Sequence, residues 1–185
     1  MINTLSTDPI NNAINNGIRR SIELVCENQC YGAAVILIFA GIDAMSHINR
    51  PENKDYNDGE DFKIWVSNFF HIYGDTRITP DEWWAARNAI VHTYGAFSKL
   101  HEKGIRVLMW MVGPDPNIRY DYNKEPHHVI VDILAMKDAF FKGMERFLIE
   151  GFADPTKKNL FEKRINELVI TFPDQKKSQN NSEEQ

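Results

Sequence analysis

The sequence predicts a mainly α-helical, single-domain fold, on three observations. Apolar residues recur every three or four positions through much of the chain, the period that gives a helix one buried face. The stretch 31–47 is apolar nearly all round and reads as a helix in the middle of the domain. The 185 residues are 43% hydrophobic and 25% charged, the make-up of one ordinary domain able to bury a core. No internal repeat or domain boundary divides residues 1–172. From Pro173 to Gln185 the chain is polar and charged, and a disordered tail is expected there.

The elements follow in order. Asp8-Pro9 is a helix start, with Asp able to cap and Pro suited to the first turn. Ile10, Ala13, Ile14, Gly17, Ile18, Ile22 and Val25 then form one stripe. The central helix turns polar at Asp43, Ser46 and His47, and residues 49–59 carry the composition of a loop. Phe62, Trp65, Val66, Phe69 and Ile72 mark a third helix, closed by Gly74. Thr79-Pro80-Asp81-Glu82 is the clearest local signal. Thr79 is an N-cap, Glu82 completes a capping box, and two carboxylates stand at the positive end of the helix dipole. That helix runs through Trp83, Trp84, Arg87, Asn88 and His92, with Gly95 as a stop or bend. Ile105 to Val112 reads as a strand between Gly104 and Gly113-Pro114. His128 to Ile133 reads as a second strand or a helix start, and the two are expected to pair as a small hairpin across 114–126. A fifth helix covers about 132–150, ended by Gly151, and Asp154-Pro155 starts a sixth with Leu160, Phe161, Ile165 and Leu168 apolar.

Composition also excludes some functions. A net charge of −5 argues against a chain coated in basic residues for broad nucleic-acid binding, though not against one small basic pocket. Met1 to Ser6 lacks a basic region followed by an apolar run, so no signal peptide is expected. The apolar run from Tyr31 to Ile42, cut by Asp43, is short for a bilayer span, and no membrane association is expected. Cys26 and Cys30, four apart in a helical pattern, read as reduced thiols of a cytoplasmic protein. No nearby Cys or His completes a zinc site around them, and no metal or cofactor is expected.

The best candidate for chemistry is Arg87-Asn88-x-x-x-His92. Asn88 and His92 are four apart and share a helix face. Arg87 and His92 are five apart, off a common line on a straight helix, but an Arg side chain is long enough to reach across. An imidazole exchanges a proton near neutral pH. A guanidinium stays charged and grips phosphate with two N–H groups. An amide can orient either. Together these groups suit metal-free cleavage of RNA, in which a base activates the 2′-hydroxyl for attack on the adjacent phosphate and the cation stabilises the charge that develops.

The stretch Trp84-Ala-Ala-Arg-Asn-Ala-Ile-Val-His-Thr-Tyr-Gly95 resembles the signature helix of the HEPN superfamily (higher eukaryotes and prokaryotes nucleotide-binding). Ile36-Leu-Ile-Phe-Ala-Gly-Ile-Asp-Ala-Met45, an apolar helix ending in an acidic residue, resembles the helix before it. The resemblance covers about residues 9–100, with the helix at 132–150 a candidate extension of it. It implies an all-α, up-and-down bundle that dimerises with its motif helices facing each other across one composite cleft. Many members are metal-independent ribonucleases of toxin–antitoxin or phage-defence systems. On that resemblance Arg87 and His92 are catalytic, Asn88 assists, RNA is the substrate, and a separately encoded antitoxin is a partner. Other members are silent, which leaves a nucleotide- or RNA-binding module or a protein scaffold as the alternative. The strands at 105–131 lie outside the usual bundle.

Asp43, Ser46, Trp84 and Tyr94 are the supporting or substrate-binding candidates. Asp43 either orients Arg87 or His92 from the neighbouring helix or pairs with His47 four residues on. Of the tryptophans, Trp65 reads as core. Either Trp83 or Trp84 must point away from the apolar stripe, toward a base or a subunit interface, and Trp110 is a further stacking candidate. His127-His128 read as loop residues. Lys157, Lys158, Lys163 and Arg164 read as a solvated helix face, the best basic patch in the chain.

Overall fold

The computed structural model describes residues 8–114, 117–121, 123–124 and 127–170. The expected tail from Pro173 lies outside these residues. The order is a π-helical segment Ile10–Arg19, α1 (Arg20–Glu27), α2 (Tyr31–Asn49), α3 (Gly59–Phe69), α4 (Pro80–Thr93), β1 (Val107–Met111), β2 (Arg119–Asp121), β3 (His128–Asp132), α5 (Ile133–Ala153) and α6 (Lys158–Ile165). The domain is mainly helical with one small sheet, as the sequence predicts.

The core gathers round α2. Val35, Ile38, Phe39, Ile42, Met45 and Ile48 are fully buried, and α1, α3, α4, α5 and α6 all pack against this helix. With 19 residues and a mean hydropathy of 1.6, α2 has the length and composition of a membrane span; the helix runs past Asp43, beyond the apolar stretch visible in the sequence. Half of that window is buried inside the fold. Trp65 is core, its ring meeting Phe69, Phe140 and Phe147.

The strands differ from the expected hairpin. β1 and β3 do pair, but in parallel, with Val107 opposite His128 and Met111 opposite Asp132. β2, within the stretch read as a loop, returns on the other side of β3 and is antiparallel to it. Parallel neighbours cannot be joined by a tight turn, and β2 is the return limb that makes the pairing feasible. Arg106, just before β1, fastens the sheet to α4. Its Nε and Nη2 donate to the two oxygens of buried Glu82 at 2.5 and 2.9 Å. Glu82 Oε2 also accepts the Thr79 N–H of the expected capping box.

Several helix ends depart from the sequence reading. α3 stops at Phe69, because Phe70 turns extended and Gly74 pairs with Ile118 beside the sheet; Ile72 therefore lies outside the helix. α4 is stopped by Tyr94, which takes the left-handed conformation at φ 53°, and Gly95 lies in the bend that follows, the second of its two expected roles. Gly151 does not end α5 but lies inside it, with the Phe161 ring where a Cβ would be. Asp154 accepts from Thr156 in the turn before α6, which begins at Lys158.

Gly143 of α5 has the same packing logic, against backbone. A Cβ there would fall on the carbonyl oxygen of Phe69 at the end of α3. Gly143→Ala is expected to lower stability by about 1–3 kcal/mol, the usual cost of overpacking. It should appear as a lower urea midpoint at unchanged slope. An unchanged midpoint would mean that α3 and α5 separate without cost.

Candidate active site

The site is assembled by two neighbouring helices and the loop between α2 and α3. Arg87 stands in the middle of α4, and Asp43 faces it from α2. Arg87 Nε and Nη2 both donate to Asp43 Oδ2, at 3.0 and 2.7 Å. This settles the alternatives for Asp43: it pairs with Arg87, while His47 pairs with Glu167 at 3.0 Å. Both members of the Asp43–Arg87 pair keep a solvent-facing side, at 24% and 20% side-chain exposure. The guanidinium is further positioned by Trp84, whose ring lies 5.3 Å from Cζ, a cation–π contact.

The remaining nitrogen, Arg87 Nη1, points the other way along α4. It donates to Asn88 Oδ1 at 3.3 Å and lies 3.5 Å from His92 Nε2. The reach of the Arg side chain thus closes the gap between positions five apart within a single chain. An N–H of Arg87 can donate to Nε2 only while that nitrogen keeps its lone pair, so the contact suits the neutral imidazole, the form that accepts a proton. His92 is exposed. Asn88 Nδ2 donates to the Trp84 carbonyl at 3.0 Å, which fixes the amide with its oxygen toward Arg87.

The two tryptophans divide as expected. Trp83 is buried, edge-on to Phe70 and Phe39. Trp84 is half-buried, tilted on Phe62 and lying over Gly59, where a Cβ would come within 2.9 Å of the indole. Gly59 and Asn57 are site-supporting residues that the sequence reading did not single out. Asn57 Nδ2 donates to the Asp43 carbonyl at 3.5 Å. Nothing in their local sequence distinguishes them from other turn residues.

Two candidates are corrected. Ser46 is fully buried, and its hydroxyl donates to the Ile42 carbonyl within α2 at 2.8 Å; a buried hydroxyl satisfied by its own helix offers nothing to a substrate. Tyr94 is 65% exposed, but its hydroxyl lies against Gly32 in the first turn of α2. Eleven residues separate Gly32 from Asp43 along α2, about 16 Å by the helical rise, so Tyr94 does not join the Arg87 cluster. The basic patch is also corrected. Lys157, Lys158 and Lys163 are exposed, but Arg164 is 3% exposed and donates to the carbonyls of Ile48, Arg50 and Pro51. His128 lies in β3, its ring near Phe97, and Trp110 is edge-on to Phe39. Cys26 and Cys30 are free thiols. Among the described residues no group of three or more His, Cys, Asp or Glu is arranged to hold a metal ion.

Burial is the larger influence on Asp43 and holds its carboxyl above the ordinary carboxylate value; Arg87 draws it part of the way back. A carboxyl whose folded pKa exceeds its unfolded value of about 3.9 binds its proton more tightly in the folded state. Its contribution to stability therefore falls as pH rises from about 4 through the folded value. Asp43→Asn removes this cost and leaves Arg87 with its solvent-facing side in water. The variant is expected to keep its Tm at pH 7 within about 4 °C of the parent, under about 1 kcal/mol for a domain of this size. Its loss of stability above pH 4 should be shallower. Thermal unfolding across pH checks this, and an identical pH profile would rule out Asp43 as the group responsible.

Fold and site together define a mainly helical domain carrying an Arg–Asp–Asn–His cluster that reaches the surface at His92. No family model matches the chain, and no curated protein or solved structure matches it either.

Proposed function

We propose that the protein is a metal-independent endoribonuclease of HEPN type, a helical bundle acting as a cytoplasmic homodimer. The observation that carries this reading is the single cluster in which Arg87 Nη1 stands 3.5 Å from His92 Nε2 while Asp43 holds the rest of the guanidinium. A phosphate that replaces His92 Nε2 as acceptor of the Arg87 Nη1 N–H frees the lone pair of the exposed imidazole beside it. His92 then takes the 2′-hydroxyl proton, and the 2′-oxygen attacks the adjacent phosphorus. Arg87 stabilises the charge on the phosphoryl oxygens. The bond to the 5′-oxygen breaks, and that oxygen takes a proton from water. The products are a 2′,3′-cyclic phosphate and a 5′-hydroxyl end. Asn88 orients Arg87 from its fixed amide. A toxin or phage-defence role, with a separately encoded antitoxin, goes with this reading.

The alternative is a silent HEPN-like module that binds a nucleotide, RNA or a protein partner. The ion pair of Arg87 with Asp43 favours it, because a neutralised guanidinium can serve structure alone. A structural role would also bury His92, and His92 is exposed. The test is incubation of purified protein with a mixed RNA pool in EDTA, with end-group analysis of the fragments. Cleavage leaving cyclic phosphate ends supports the ribonuclease. Intact RNA in every class tried, from correctly folded dimer, favours the binding module.

A further inference from the structure

A polar cavity of about 660 Å³ opens where α2 ends. Arg50 and Lys54 line it from the loop after α2, and Asn159, Lys163 and Arg164 line it from α6. Two of its cations are built into the wall. Arg164 is anchored on the carbonyls of Ile48, Arg50 and Pro51. Arg50 donates to the carbonyls of His47 and Lys54 and to Glu167 Oε2. Arg164, held by backbone carbonyls alone, keeps its charge as a fixed cation, while Arg50 is paired with Glu167, and Lys54 with Asp58 and Asp61. Lys163, by contrast, is exposed at the opening. Tyr56, also in the lining, is 83% exposed. The lining carboxylates Glu52 and Asp55 are exposed loop residues, and Glu167 is engaged by Arg50 and His47. An exposed cation and an uncovered aromatic ring, beside the fixed charge of Arg164, form a combination that takes a phosphate and stacks a base.

The cavity and the Arg87 cluster are reached from the same loop between α2 and α3. Arg50, the first residue beyond α2, follows Asp43 by seven positions, about 10 Å by the helical rise. The loop between them carries Tyr56, then Asn57 bonded to the Asp43 carbonyl, then Gly59 beneath Trp84. We propose that this cavity is a subsite for the RNA strand, a few nucleotides from the phosphate at Arg87. Lys163 takes a backbone phosphate and Tyr56 stacks on a base. The proposal rests on the ribonuclease reading, but its test does not require cleavage.

The probe is a fluorescent 2′-O-methyl RNA oligomer, which lacks the attacking hydroxyl, titrated in low salt against wild type, Lys163→Glu, Tyr56→Ala and, as control, Lys157→Glu, a lysine outside the lining. All three replaced residues are exposed, and matching Tm values verify the fold. The expected result is about a tenfold or greater loss of affinity in Lys163→Glu with a smaller salt dependence, and about a tenfold loss in Tyr56→Ala. Lys157→Glu should change affinity by less than about twofold. Wild-type affinity in both cavity variants, whether or not the protein cleaves RNA, overturns the subsite and leaves the ribonuclease reading untouched. Affinity lost in both variants of a protein that cleaves nothing overturns the ribonuclease and keeps the RNA site. Displacement of the oligomer by adenosine monophosphate at matching concentration would assign the cavity to a free nucleotide and overturn the RNA assignment.

Discussion

His92→Ala is expected to slow metal-free RNA cleavage by about 10²–10⁴-fold, the range for loss of a positioned general base, without change in Tm. The imidazole is exposed, and the only hydrogen bond it makes among the described residues is the 3.5 Å contact with Arg87, so folding depends little on it. Arg87 separates differently. Arg87→Lys keeps the charge but cannot reach Asp43 with two nitrogens and still present a third toward His92, because an ammonium is a point charge and not a fork. It should lose about 10²-fold or more in kcat, the scale of a lost charge-stabilising donor. Arg87→Ala should lose at least as much. Rates measured in EDTA on one defined RNA, with the dimer verified for each variant, are the check. Full activity in His92→Ala would remove the proposed chemistry, whatever Arg87 does.

The largest stability effect is expected at Arg164. At 3% exposure it donates to three carbonyls, those of Ile48, Arg50 and Pro51, which lie at and beyond the C-terminal end of α2. The last carbonyls of a helix have no partner within it, and here a buried guanidinium from α6 supplies one. Arg164→Met fills the space but leaves these acceptors in a dry site. Each unsatisfied buried acceptor costs about 1–3 kcal/mol, so a total of about 3 kcal/mol or more is expected after some water entry. That corresponds to a fall in Tm of about 6–12 °C for a chain of this length. Arg164→Lys should fall between, since an ammonium satisfies fewer carbonyls in this geometry. A loss below about 1 kcal/mol in Arg164→Met would show that α2 is not capped from α6.

Much of the local structure was legible in the sequence. The capping box at Thr79 and Glu82 forms as read, the apolar-all-round stretch is the central helix, and the stripe after Asp8 is helical, π-helical over Ile10–Arg19 and α-helical over Arg20–Glu27. Arg87, Asn88 and His92 were visible as a group because they lie within six residues of one helix, where side-chain reach decides contact. The errors share a cause. Ser46 and Arg164 were placed on functional or solvated faces from residue type, yet packing buries both. Gly151 was read as a stop, although a glycine serves equally as a place for a neighbouring ring, and Phe161 takes that place.

What the sequence by itself determined is what depends on neighbours a few residues apart: helix period, caps, the central helix and the spacing of Arg87, Asn88 and His92. Only the tertiary structure decided that Asp43 meets Arg87 across 44 positions, that Arg164 closes α2, and that β1 and β3 run in parallel with β2 between them in the chain. Local order is set by hydrogen bonds and side-chain entropy within one or two turns. Partners far apart in sequence are chosen by how whole helix faces fit, and a charge such as that of Arg164 is buried where that fit leaves carbonyls needing a donor.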